Sequence, residues 1–281
     1  MSKMRKKNDL NIDWKNYELA VLSECRRIYK DANILYNTSI NGRYSQRKRQ
    51  IDILIKDDQK TYIIDAKKFN RRIDIKIVES FIGMIKDVGA DYGLIVSEKG
   101  FTKTAINRAH LGEENIEVDI LSLKELEQLQ GTIAISYIDN HGIIINSPFG
   151  WIVDGSHREN ILAILYQRGL SFEEASENKE WAYINAVIKD REISSEKELV
   201  VLQNQELLCW DKNGKIEEKM EDGIRIRIFE SQKYPTKEIT LFREFQDFIL
   251  FVVLFTPDYL LNRNIRKIRD LLMTALPIEI T

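Results

Sequence analysis

The stretch Arg49-Gln50-Ile51-Asp52-Ile53-Leu54-Ile55-Lys56, the turn-like Asp57-Asp58-Gln59-Lys60 and the run Thr61-Tyr62-Ile63-Ile64-Asp65-Ala66-Lys67 decide how this 281-residue chain is read. Two short apolar segments joined by four polar residues predict a β-hairpin. A loop at 57–60 sets Lys56 opposite Thr61, and that register sets Asp52 opposite Asp65. Opposed residues on one sheet face have Cβ atoms about 4.5–5.5 Å apart. Because side chains alternate, Lys67 shares the face of Asp65, while Ile51, Ile53, Ile55, Tyr62, Ile64 and Ala66 point the other way. Two carboxylates and an ammonium therefore converge on one patch of an otherwise apolar sheet. Like charges at that distance repel, and each costs desolvation, so the pair asks for a compensating cation. Magnesium suits it, being a hard ion usually held by one or two carboxylates together with waters and phosphate oxygens. On spacing alone, a surface hairpin with scattered charges stays an open alternative.

Outward from the hairpin the pattern is that of an α/β domain. Trp14, Tyr17, Val21, Cys25 and Ile28 recur at helical spacing over 14–30. A strand is predicted over 32–40, ending at the turn Asn41-Gly42, and the basic segment 1–9 before the helix is expected to be mobile. After the hairpin, Asp74 caps a helix with apolar Val78, Phe81, Ile82, Ile85 and Val88 that stops at Gly89. A buried strand over 92–97, a helix over 101–110 with Thr102 as its N-cap and a strand over 116–123 follow. The order is α-β-β-β-α-β-α-β. A second, α+β region begins near residue 131, which divides the chain into domains 1–130 and 131–281. Its pattern predicts a hairpin of 132–137 with 142–146 and helices over 156–168 and 171–189. Strands are predicted over 198–203, 207–211 and 223–229, and helices over 238–255 and 263–275.

Composition narrows the class. Hydrophobic residues make up 43% and charged residues 31%, enough to bury a core. The two cysteines, Cys25 and Cys209, lie far apart, which argues against a zinc ribbon or a disulfide scaffold and fits a reducing cytoplasm. No apolar run approaches the roughly 20 residues that cross a bilayer, so no membrane association is expected. The net charge of −2 hides an asymmetry. Residues 1–110 hold 23 Lys and Arg against 14 Asp and Glu, whereas 111–281 hold 19 against 30. A basic half joined to an acidic half hints that the basic half meets nucleic acid. His110, His141 and His157 are isolated and read as structural, Trp151 and Trp181 read as core residues, and no P-loop or GxGxxG is present.

Asp52 with Asp65-Ala66-Lys67 resembles the PD-(D/E)xK nuclease signature, in its Mrr-like restriction endonuclease branch. Tyr17-Glu18 on the first helix supports the resemblance, as do Arg49-Gln50-Ile51-Asp52, Gly93-Leu94-Ile95-Val96-Ser97, and Gly100-Phe101-Thr102 opening a helix with Ala105 and Ala109. The resemblance covers about residues 14–123. It implies a restriction-endonuclease-like fold, a mixed central sheet flanked by helices. It also implies a metal-dependent endonuclease that hydrolyses phosphodiester bonds of DNA to leave 5′-phosphates. Asp52 and Asp65 would bind Mg2+, which Mn2+ can replace, and Lys67 would be the catalytic lysine. Lys67 would position or help deprotonate water, or stabilise phosphorane charge. Glu18 matches a helical glutamate directed at the metal in some members; a surface carboxylate paired with a Lys or Arg is the alternative. Arg43, Arg47, Lys48 and Arg49, interleaved with Tyr44, would contact DNA phosphates. The usual glycine-rich approach to the first acid is replaced here by this basic segment, and Asp65 stands where Glu is more frequent. The implied role is restriction or anti-phage defence in the cytoplasm. The alternatives are a repair or junction-resolving nuclease and a non-catalytic nucleic-acid-binding module. A homodimer or larger homo-oligomer, and a protein or ligand trigger acting on the C-terminal domain, stay open.

Overall fold

The computed structural model describes residues 2–29, 32–57, 60–112, 116–120, 132–138, 141–148, 150–156 and 161–279. The chain divides into two compact units, 1–129 and 130–281. The expected boundary near residue 131, together with the end of the strand predicted over 116–123, lies outside the described residues.

In the first unit, α1 (Ser2–Ile28) precedes β1 (Asn33–Asn41), β2 (Lys48–Asp57) and β3 (Lys60–Lys67), followed by α2 (Ile75–Val88), β4 (Tyr92–Ser97), α3 (Lys103–Gly112) and β5 (Ile116–Ile120). The helix begins at Ser2, so the segment 1–9, expected to be mobile, is helical from its second residue. The sheet order is β1-β2-β3-β4-β5. Its first three strands are antiparallel and its last three parallel, the mixed sheet that the resemblance implies. Helix α2 follows its local signals closely. Asp74 Oδ1 accepts from the N–H groups of Lys76 and Ile77, and Gly89 ends the helix at φ 68°, a conformation glycine adopts without penalty. Its buried stripe of Val78, Phe81, Ile82, Ile85 and Val88 packs with Leu54, Ile63 and Ile95 of the sheet and with Ala105 and Ala109 of α3. Thr102 caps α3, its hydroxyl accepting from the Ala105 N–H at 3.3 Å.

The second unit contains β6 (Thr132–Ile138), β7 (His141–Asn146), β8 (Trp151–Asp154), β9 (Ala163–Gln167), α4 (Phe172–Glu177), β10 (Trp181–Ile188), α5 (Glu196–Trp210), β11 (Lys215–Glu221), β12 (Ile224–Glu230), β13 (Lys237–Glu244), β14 (Phe248–Thr256), α6 (Leu261–Thr274) and β15 (Leu276–Glu279). Seven strands form an antiparallel sheet in the order β11-β12-β13-β14-β10-β9-β8, and β15-β7-β6 form a smaller one. The hairpin of β6 with β7 and the helix α6 match expectation.

Five expected elements of this unit do not match. The helix expected over 238–255 is a hairpin of two strands. In β14, Phe248, Leu250, Val252 and Leu254 pack toward α6, while Ile249, Phe251 and Val253 pack with Leu199 and Val200 of α5. A strand covered on both faces reads as a continuous apolar run and loses the alternation that would reveal it. The helix expected over 156–168 contains β9, with 157–160 outside the described residues, and that expected over 171–189 stops after α4 and becomes β10. Conversely, 198–203 and 207–211, expected as strands, belong to α5. Ser195 caps that helix by accepting from the Glu198 N–H, and the apolar run Leu199-Val200-Val201-Leu202 within it is as compatible with a strand by pattern alone.

Candidate active site

The first unit's sheet opens at Asp52. The β2–β3 ladder runs from Asp57↔Lys60 through the expected Lys56↔Thr61 to Ile53↔Ile64 and ends there. One step beyond, Ala66 donates its N–H to Asp52 Oδ2 at 2.9 Å, so a side chain takes a main-chain donor. On the other side of β2 the pairing passes from Tyr36↔Ile53 to Thr38↔Ile51 across Asn37. Asn37 is held at φ 51°, which asparagine tolerates better than most residues, and its side chain accepts from Gln50 Nε2. Strict alternation along β2 also breaks here. Ile51, expected on the face of Ile53 and Ile55, packs instead with Leu54 and Ile63.

Asp65 remains paired to β4, opposite Ile95, where β3 has parted from β2. Its carboxylate is buried, and Lys67 Nζ lies 2.6 Å from its Oδ1. The Asp52 and Asp65 carboxyls are within hydrogen-bonding reach of each other. Burial first, then the charge of Asp65 and the shared hydrogen bond, push the Asp52 carboxyl up to about 7. Of the residues predicted to form the site, Asp52, Asp65 and Lys67 are therefore brought together.

Glu18 is buried on α1, and its Oε2 accepts from the Tyr36 hydroxyl at 3.0 Å. Burial raises its carboxyl above the usual range, the Tyr36 hydrogen bond and the Lys67 charge oppose that, and Asp65 adds to it. Tyr36 is in turn pushed up to about 12, by burial and then by Glu18. Among the described residues, no group of three or more His, Cys, Asp or Glu side chains is gathered to hold a metal ion. Glu18 is thus bonded to Tyr36 rather than grouped with the two aspartates. Tyr36 escapes sequence reading because its place beside Asp52 depends on the register between β1 and β2.

The basic segment between β1 and β2 is a built loop. The buried Asp87 of α2 accepts from the N–H groups of Tyr44 and Ser45 (both 2.9 Å), from the Ser45 hydroxyl (2.6 Å) and from Arg49 Nε (2.5 Å). Gly42 is needed there, because a Cβ would meet Asp87 Oδ2 at 2.3 Å. Arg43 lies over Gly89 and donates to its carbonyl at 3.4 Å, a cation at a helix C-terminus. Arg43 and Arg49 thus hold the loop on α2, while Arg47 and Lys48 are exposed. The side chains of His110, His141 and His157 lie outside the described residues. Trp151 is buried, and Trp181 stacks on Phe255 with centroids 4.7 Å apart.

Residues 14–130 match the family model described as restriction endonuclease, that of the Mrr catalytic domain. The match covers less than half of the chain and falls almost wholly within the first unit. Two solved structures are similar to parts of the chain. The crystal structure of the protein of unknown function AF1548 is 19% identical over 44% of this chain and 72% of that one, with a TM-score of 0.34. The solution structure of cyanobacterial PsbP (CyanoP) from Synechocystis sp. PCC 6803 is 10% identical over 51% of this chain and 92% of that one, with a TM-score of 0.33. No curated protein matches the chain.

Proposed function

We propose, on the premise of an N-terminal unit of Mrr restriction-endonuclease type, that this protein is a divalent-metal-dependent endonuclease that hydrolyses phosphodiester bonds of DNA in the cytoplasm, as a restriction or defence effector. One observation carries the reading. Asp52 and Asp65 are held within hydrogen-bonding reach of each other, with Lys67 2.6 Å from Asp65. A protein that only bound nucleic acid would have no use for a repelling, partly buried acid pair. The donor set is all oxygen and has one negative charge in excess of Lys67, which fits a hard dication. Asp52 and Asp65 would hold that ion, with Glu18 in electrostatic reach. A dication there would supply charge neutralisation at the scissile phosphate and a bound water of lowered pKa.

The chain's own residues do the rest. Asp65 fixes the Lys67 ammonium beside the acid pair, where it can orient the attacking water or offset charge on the phosphorane. The Ala66 N–H holds Asp52 in place. Arg47 and Lys48 extend from the anchored loop toward the phosphate backbone. The second unit takes no part in this chemistry and serves to govern it.

The test is cleavage by the purified full chain. Supercoiled plasmid, linear duplex, single strands and RNA would each be incubated with magnesium, manganese or EDTA. DNA should be cut with either metal and left intact in EDTA. Asp52→Ala, Asp65→Ala and Lys67→Ala should each lose cleavage by at least about 10²–10³-fold, the cost of one preorganised transition-state contact. Full activity in Asp65→Ala would overturn the assignment.

A further inference from the structure

A cavity of about 590 Å³ lies between α5 and the seven-stranded sheet of the second unit. Its origin is visible along the helix. Leu199 and Val200, near the start of α5, are buried on Phe242, Ile249 and Phe251. Gln203 and Leu207, further along, are only half buried, and Trp210 at the end is exposed. The helix therefore seals the sheet at its start and leaves a space under its second half. Tyr183 of β10, Phe251 of β14, Arg227 of β12 and Glu238 of β13 line that space from the sheet, and Gln203, Glu206 and Trp210 line it from the helix.

Arg227 is the informative wall. It is 2% exposed. Its Nη1 donates to Gln203 Oε1 at 3.0 Å, and its Nη2 donates to Thr240 Oγ1 at 2.7 Å and Glu238 Oε1 at 3.3 Å. Its buried Nε has no acceptor among the described residues. That nitrogen is itself covered, so other atoms of the side chain meet the cavity. The charged walls, Arg227 against Glu206 and Glu238, leave no positive surplus to attract a phosphate. What remains is a set of aromatic surfaces with donors and acceptors at their edges. Gln203, whose oxygen is taken by Arg227, has its NH2 left to donate, and the carboxylates accept.

We propose that this cavity binds a nucleobase, an uncharged planar heterocycle whose edge carries both hydrogen-bond donors and acceptors. The cavity by itself calls for such a heterocycle, and its identification as a nucleobase rests on the nuclease reading above. The base could belong to a free nucleoside or to a polynucleotide strand.

The experiment is calorimetric titration of the full chain in EDTA, where cleavage is silent. The probes are the four common nucleosides, their 5′-monophosphates, inorganic phosphate and a short single-stranded oligonucleotide. At least one nucleoside or the oligonucleotide should bind saturably. A nucleoside's monophosphate should bind no tighter than the nucleoside. Gln203→Ala and Glu206→Gln, both at positions outside the sealed core, should each weaken binding about tenfold, which is about 1.4 kcal/mol. Binding of free nucleosides identifies a small-molecule source. Binding of the oligonucleotide alone, weakened by Gln203→Ala but not by Arg47→Ala, identifies a base within a strand. No binding by any probe, equal binding of inorganic phosphate, or wild-type affinity in both cavity variants would overturn the proposal. Nucleoside binding by a protein that never cuts DNA would remove the nuclease reading and leave this one standing.

Discussion

Each unit carries a charged cluster, and the two are built on opposite accounts. Around Asp52 and Asp65, two carboxylates face one ammonium, with the buried Glu18 adding further negative charge nearby. Around Arg227, a single guanidinium meets Glu238, Thr240, Gln203 and Asn204 and lies 5.4 Å from the Phe242 ring centroid. The first cluster is frustrated by itself: burial and like charge push the Asp52 carboxyl up to about 7. The second pairs its guanidinium with the Glu238 carboxylate and, among the described residues, lacks a partner at Nε. The contrast indicates what each would accept. A cluster with surplus negative charge is completed by a cation, whereas a guanidinium matched by a carboxylate and amide and hydroxyl oxygens asks for none.

The sharpest way to break the contrast is to cut the balanced cluster. Arg227→Ala leaves the half-buried Glu238 without its cation and Thr240 and Gln203 without their donor, and the full chain should lose about 1–3 kcal/mol of stability in urea unfolding. A near-neutral effect would show that the guanidinium is not the scaffold of that sheet face. The corresponding change in the frustrated cluster should go the other way. In EDTA at neutral pH, Asp52→Asn should be as stable as the wild type or more so, because the repulsion is gone. Magnesium at ten times its dissociation constant should then stabilise the wild type by about 1.4 kcal/mol and leave Asp52→Asn nearly unmoved.

Asp87 sharpens the comparison as a buried acid that is fully served. Hydrogen bonds from the Ser45 hydroxyl and N–H, then from Arg49 and the Tyr44 N–H, hold its carboxyl well below the usual range. A depressed carboxyl contributes stability that is present above the unfolded value near 3.8 and is lost as the pH falls below it. Asp87→Asn should therefore lower the urea midpoint at pH 6 and shrink the gap to the wild type on acidification toward pH 3, each pH chosen as a rough bracket of that window. The smallest expected effect concerns the loop that Asp87 anchors. Replacing Arg47 and Lys48 together by Ala should flatten the slope of log affinity for duplex DNA against log salt by about 1.8, two phosphates' worth. An unchanged slope would take the loop off the DNA-binding surface.

How legible these features were in the sequence follows from their range. The β3–α2–β4 segment was readable almost to the residue, because Asp74, Gly89 and the spacing of Val78, Phe81, Ile82, Ile85 and Val88 act within one or two helical turns. The hairpin register Lys56↔Thr61 was likewise legible, although Asp57↔Lys60 also pair and only two residues separate the strands. In the second unit the same reasoning failed at β13, β14 and α5. There, local apolar runs were ambiguous, and which faces were covered depended on helices distant in sequence.

The residue types Asp52, Asp65, Lys67 and Glu18, their spacing and the charge asymmetry were all present in the chain before any folding was considered. Several other features were settled only by tertiary structure. They are the opening of the sheet at Asp52, the turn of Ile51 into the other core, the bond from Tyr36 to Glu18, the docking of the 42–49 loop on Asp87 and the space beneath α5. The physical reason is the same throughout. Propensities, caps and short loops are energies among near neighbours, whereas a carboxylate's partner 18 or 42 residues away is chosen by strand register and by what the packed core leaves room for.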